Sequence, residues 1–208
     1  MSTTPGASVA GSTIAAVDLG TNSFHLVVAR VLDATGRFEV VAREKEMVRL
    51  GTGATDMSRL DDEAIERGIA ALRRCRSIAE VHGAELVAVA TSAVREADNA
   101  QVFLDRARSE AGVDVDVITG LEEARLIYLG VLRSVPAYDR RLVLIDIGGG
   151  STEVLVGERA QTLAVGSFKL GAIRLTNRFF RTDRLHPGAL DACRRHVRSE
   201  LAPMGRHV

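Results

Sequence analysis

Tryptophan is absent from this chain of 208 residues, cysteine occurs twice, and 27 Lys+Arg are balanced by 27 Asp+Glu. Each shortage excludes something. A net charge of zero rules out whole-surface attraction to nucleic acid or to an anionic membrane, so neither is expected as a partner. Any polyanion must then be gripped by a local site. No apolar run approaches the length of a membrane span, and the first 13 residues lack the basic-then-apolar order of an export signal, so a cytoplasmic protein is expected. Cys75 and Cys193 form no CxxC pair and fall on separate predicted helices, which marks them as small buried apolar groups. The five histidines, His25, His82, His186, His196 and His207, recur at no zinc spacing. A hydrophobic content of 46% excludes disorder and collagen-like repeats, and the length suffices for one large or two small domains.

What the chain does contain is alternating strand and helix signals. Residues 14–18 and 25–32 read as two strands joined at a polar glycine tip, Gly20-Thr21-Asn22-Ser23, and residues 37–50 offer a third strand. From Asp61 to Ala79 apolar residues recur every three or four positions, predicting an amphipathic helix that Gly83 ends. A continuous apolar strand over 86–90 leads into Ser92-Ala93-Val94-Arg95. The pattern continues with a helix over 99–111 stopped by Gly112, a strand over 113–119 and a helix over 121–133 closed by Val135-Pro136.

Residues 142–151 then repeat the opening. Asp146 falls 128 positions after Asp18, and at that offset Gly148 falls on Gly20 and Ser151 on Ser23. An α/β architecture of two similar lobes follows, residues 12–124 and 125–208. Only 57 residues follow Ser151, too few to complete the second copy, which is expected to hold a strand near 161–165 and helices near 172–180 and 187–201.

Two glycine-rich tips at equivalent places suit phosphate, because a turn without Cβ atoms lets successive N–H groups converge on one oxygen. Thr21, Ser23, Ser151 and Thr152 add hydroxyl donors. Either tip alone also reads as an ordinary tight turn; the pairing across a cleft favours a substrate with two adjacent phosphates. Asp18 and Asp146 each end a strand before a glycine turn, where a carboxylate holds a hydrated Mg²⁺, positions water, or merely caps its own loop. Glu153 is a third acidic candidate. Glu122 and Glu123 open a helix, which favours carboxylates without further function, yet one of them is expected to look into the cleft. Arg95 suits either a bidentate phosphate clamp or an ion pair with Glu96 or Asp98. Residues 169–208 hold nine Lys+Arg against three Asp+Glu, either a guide for a polyanion or a solvated helix face.

Four segments, Asp18-Leu19-Gly20-Thr21-Asn22-Ser23, residues 90–97 (ATSAVREA), residues 119–125 (TGLEEAR) and Asp146-Ile147-Gly148-Gly149-Gly150-Ser151-Thr152-Glu153, come in one order and spacing. In these the chain resembles the exopolyphosphatase and guanosine pentaphosphate phosphohydrolase (Ppx/GppA) family over residues 14–182. The resemblance implies the actin, Hsp70 and sugar-kinase fold, with duplicated ribonuclease-H-like lobes, the second incomplete. It implies Glu123 as the base that activates water, with Asp146 and Glu153 assisting. Phosphate would be bound by Asp18, Gly20, Thr21, Asn22, Ser23, Arg95, Gly148, Gly149, Gly150, Ser151 and Thr152, and Mg²⁺ by Asp18, Asp146 and Glu153. The implied activity is Mg²⁺-dependent release of terminal phosphate from inorganic polyphosphate or of the 5′-γ-phosphate from guanosine pentaphosphate, with a homodimer as the expected assembly. A polyphosphate- or alarmone-binding protein without turnover is the alternative. An ATP-using relative, a sugar kinase or chaperone ATPase, is disfavoured by the Glu pair.

Overall fold

The computed structural model describes residues 10–51, 57–181 and 185–206. The first sheet comprises β1 (Thr13–Leu19), β2 (Phe24–Val31), β3 (Phe38–Glu46), β4 (Glu85–Ala90) and β5 (Val115–Val117), in spatial order β3-β2-β1-β4-β5. The hairpin strands run antiparallel, whereas β4 and β5 run parallel to β1. Parallel neighbours need crossovers. These are α1 (Asp62–Val81), between β3 and β4, and α2 (Ser92–Glu96) with α3 (Ala100–Arg106), between β4 and β5.

The apolar periodicity of α1 puts Ile65, Ile69 and Leu72 against Val17, Leu19 and Leu26 of the sheet, all at 1% exposure or less. Gly68 lies mid-helix because a Cβ there would come 2.8 Å from the fully buried Phe103 ring. Burial of such a ring accounts for roughly 2–3 kcal/mol of stability, and truncating it to Ala costs about 3–5 kcal/mol. Both thiols are buried, Cys75 among this core and Cys193 on a later helix, as expected.

Three elements depart from expectation. The continuous helix over 99–111 is instead α3 followed by a π turn, Ala107–Ala111, ended by Gly112 at φ 64°. The strand over 113–119 pairs only over β5, because Val113 dives into the core and Thr119 caps the next helix. Ser92–Glu96 forms a one-turn helix, too short to leave a periodic signal.

The second sheet contains β6 (Leu142–Ile147), β7 (Thr152–Glu158) and β8 (Gln161–Phe168), all antiparallel, in the order β6-β7-β8. It repeats the opening meander: Gly20 N–H donates to Ser23 O at 3.2 Å and Gly148 N–H to Ser151 O at 3.0 Å, while Asp18 pairs with His25 and Asp146 with Glu153. The fold is therefore the duplicated ribonuclease-H-like lobe of the actin class with an incomplete second copy; counterparts of β4 and β5 are absent among the described residues. Val143, Ile145 and Ile147 are 52%, 61% and 67% exposed, whereas their counterparts Ala15, Val17 and Leu19 are sealed at 0–1% by α1.

Helix α4 (Gly120–Ser134) belongs to this second sheet: its Ala124 and Tyr128 form a small core with Leu155 of β7. The division expected between residues 124 and 125 thus falls inside α4, since the packing face, not the end of the first lobe, fixes where the helix sits. Then come α5 (Ala172–Phe179) and α6 (Ala189–Leu201). No helix among the described residues is long and apolar enough to cross a membrane.

Candidate functional site

The two glycine tips face one another across a cleft of about 550 Å³. Asp18, Gly20, Thr21, Asn22 and Ser23 line one wall and Asp146, Gly148, Gly149 and Ser151 the other, with Glu123 at the junction. The tips approach closely: a Cβ on Gly149 would lie 3.0 Å from Cβ of Thr21, and one on Gly150 would lie 2.3 Å from Oγ of Ser92. Glycine at 149 and 150 is what lets the lobes meet.

Each tip is braced by the chain that follows its lobe's third strand. In the first lobe Arg49 N–H donates to Asn22 O and Gly51 N–H to Thr21 O, at 2.8 and 2.9 Å. In the second, Gly171, Ala172 and Ile173 donate N–H groups to the carbonyls of Gly150, Gly148 and Gly149. With those carbonyls occupied, the tips turn N–H groups and hydroxyls toward the cleft.

Thr119 Oγ1 accepts from Glu122 N–H and caps α4, placing the Glu pair in its first turn. Gly120 permits this close seat, since a Cβ there would strike Ser167 Oγ at 2.2 Å. Of the pair, Glu123 lines the cleft, whereas Glu122 lies outside with Arg125 at 2.9 Å. Glu123 Oε2 accepts from Arg95 Nη1 at 3.1 Å, in a pair only 22% and 15% exposed. Arg95 also donates to Ile118 O, and neither Glu96 nor Asp98 takes it. Its guanidinium therefore sits on the candidate base, a placement the sequence did not suggest.

Burial, then the Glu153 charge, push the Glu123 pKa up to about 7, against the opposing effect of Arg95. Desolvation outweighs both the cation and the helix N-terminus. Asp18 opens onto the cleft, yet the surrounding protein mass deprives it of solvent, and this, followed by the facing Asp146 charge, raises its pKa to about 6. Glu153 is also raised, chiefly by burial, while hydrogen bonds from Ser167 and Ser151 favour its charged form.

Not every expected phosphate or metal residue reaches the cleft. Thr152 is buried and its hydroxyl donates to Leu170 O at 3.1 Å, so it ties β7 to the segment after β8 instead of meeting phosphate. Gly150 packs on Ser92, and its carbonyl accepts from Gly171 N–H and from Arg174 Nε. Both serve tip geometry. Glu153, 1% exposed with Ser167 donating to it at 2.8 Å, fits a buried counter-charge and not a metal ligand. Among the described residues no three His, Cys, Asp or Glu side chains converge as a metal-binding group. Asp18 and Asp146 do fit Mg²⁺, which commonly keeps several waters and takes one or two carboxylates together with substrate phosphates.

The profile of the Ppx/GppA phosphatase family matches residues 27–208. The chain belongs to that family. The exopolyphosphatase of Cytophaga hutchinsonii superposes with a TM-score of 0.88 at 34% identity, over 94% of this chain and 62% of that one. The Aquifex aeolicus PPX-GPPA enzyme superposes with a TM-score of 0.75 at 31% identity, over 93% of this chain and 64% of that one. The chain thus spans somewhat under two thirds of the length of these relatives. The PilM–PilN type IV pilus biogenesis complex, at 17% identity and a TM-score of 0.50 over 91% of this chain and 72% of that one, shares the fold.

Several contacts around this Ppx/GppA cleft were not foreseen from the sequence. Ser92 Oγ lies 2.9 Å from Thr21 Oγ1 in a buried link between α2 and the first tip. Arg174 joins the lobes, with Nη2 donating to Glu96 at 2.8 Å; Lys169 meets the same carboxylate at 2.7 Å. The excess cations of residues 169–208 therefore include two that latch the second lobe to the first. Ser23 Oγ and His25 Nε2 are 2.8 Å apart on the cleft wall. Only the repeat offset, which sets His25 over Glu153, marks His25 in the sequence.

Proposed function

We propose that the cleft hydrolyses a terminal phosphoanhydride bond, releasing phosphate from inorganic polyphosphate or the 5′-γ-phosphate from guanosine pentaphosphate, in a cytoplasmic setting. The observation that carries this reading is the Glu123 carboxylate at the junction between two equivalent glycine tips. One tip holds the terminal phosphate and the other its neighbour. Glu123 accepts a proton from water as the water oxygen closes on the terminal phosphorus. The bridging P–O bond breaks, and its electron pair leaves with the shortened chain. A base that is half ionised near pH 7 suits this task, because it is deprotonated often enough and still basic enough. Arg95 fixes the carboxylate on the line of attack.

Mg²⁺ held through water by Asp18 and Asp146 would neutralise charge developing on the phosphate oxygens. Family membership and the exopolyphosphatase relative support the chemistry. The test is phosphate release from long-chain polyphosphate and from guanosine pentaphosphate, with and without Mg²⁺, by this chain and by Glu123→Ala. Release by the parent and not by the variant is expected. Binding of either compound without release would replace the proposal with a non-hydrolytic binding role.

A further inference from the structure

The two tips hold their serines differently, and the difference follows from hydrogen-bond chemistry. A hydroxyl carries one proton, so each serine donates in one direction only. In the second lobe the equivalent partner is Glu153, 1% exposed, whose carboxylate only accepts. Any bond from Ser151 to that carboxylate therefore uses the Ser151 proton. In the first lobe the equivalent partner is an imidazole, His25, whose Nε2 lies 2.8 Å from Ser23 Oγ. Neutral imidazole accepts or donates at Nε2 according to tautomer, so Ser23 can keep this bond and still aim its proton elsewhere.

The neighbours on the third strands follow the same division. Lys45 of β3 pairs in register with His25, while Ser167 of β8 pairs with Glu153 and donates to it at 2.8 Å. Both Ser23 and His25 line the cleft. Phosphate oxygens are acceptors, so a phosphate at the first tip selects the tautomer in which His25 Nε2–H donates to Ser23 Oγ and the Ser23 proton points at the phosphate.

We propose that His25 is a positioning residue for phosphate recognition, acting through Ser23, whose hydroxyl it leaves free to donate into the cleft. This rests on the phosphoanhydride reading of the site. Because the contact reaches oxygens already charged in bound substrate, its loss raises KM and leaves kcat nearly unchanged.

The experiment combines kinetics on polyphosphate with ¹⁵N NMR of ring-labelled histidine during titration with tripolyphosphate. Ser23→Ala and His25→Phe are each expected to raise KM on the order of tenfold, as for a lost hydrogen bond to a charged group. The double variant should be no worse than either single one, and His25→Gln, which restores an N–H at the Nε2 position, should recover most of the loss. In the NMR titration the Nε2 signal missing from His25→Gln should move to the protonated position as tripolyphosphate binds. An unchanged KM in His25→Phe, additive losses in the double variant, or binding with Nε2 left unprotonated would overturn the role of His25 alone. Failure of tripolyphosphate to bind the parent chain would overturn the functional reading and this inference with it.

Discussion

The first and second glycine tips are the same turn built twice, with the same N–H to carbonyl bond across it and a strand-end aspartate before it. What surrounds them differs. Thr21 occupies the position where the second tip has Gly149, and His25 the position of Glu153. The first tip therefore carries a side chain where the second presents bare backbone, and the second buries a carboxylate behind it. A duplicated unit has kept its backbone and divided the chemistry, since two tips with threonine at this position could not approach within the observed distance. Glu123 lies outside the repeat, at the N-terminus of the helix that leaves one lobe to pack on the other.

The largest effect should come from removing the group that serves both tips. Glu123→Ala is expected to lower kcat by about 10²- to 10⁴-fold, the usual contribution of a positioned base, with substrate affinity largely kept. Glu122→Ala, outside the cleft beside Arg125, should leave kcat within a few-fold of the parent. Equal losses in the two variants would remove Glu123 from its role.

Making the tips alike tests the comparison directly. Gly149→Thr places a second β-branched side chain 3.0 Å from Cβ of Thr21 and must push the lobes apart. Polyphosphate affinity, read by calorimetry, should fall on the order of tenfold or more, the scale of one lost charge-assisted contact. Unaltered affinity would show that the tips do not grip one ligand together.

A smaller effect concerns pH. The base works ionised, so kcat/KM should rise with pH and level off above about 7. Arg95 opposes the upward shift of Glu123, hence Arg95→Met should raise that pKa further and move the acid limb of the profile to higher pH. A limb that stays in place or moves lower would show that another group sets it.

The smallest expected effect is structural. Ser92→Ala removes the buried partner of Thr21 Oγ1 and should cost about 1 kcal/mol in denaturant unfolding, with the second sheet undisturbed.

Much of this was legible in the residues. The apolar runs over 14–18 and 25–32, the three- and four-residue steps of α1 and the offset of 128 between the aspartates named the strands, the helix and the duplication, because each is local or compares the chain with itself. Which member of the Glu pair faces the cleft was named by the family resemblance alone and not by periodicity. That depends on the rotation of α4, set by Ala124 and Tyr128 against Leu155. Nor did Thr152 announce that its hydroxyl turns toward Leu170, since strand parity says which face a side chain takes but not what waits there.

The sequence by itself determined the elements, their repetition and the residue types at the two tips, for these follow from periodicity, from glycine's freedom and from chain-order symmetry. Only the tertiary structure decided that Arg95 rests on Glu123, that Glu96 is claimed by Lys169 and Arg174 of the other lobe, and that Glu123 titrates near 7. Those outcomes depend on which charges long-range packing brings within a few ångströms and how much water it removes, and neither quantity is written in local order.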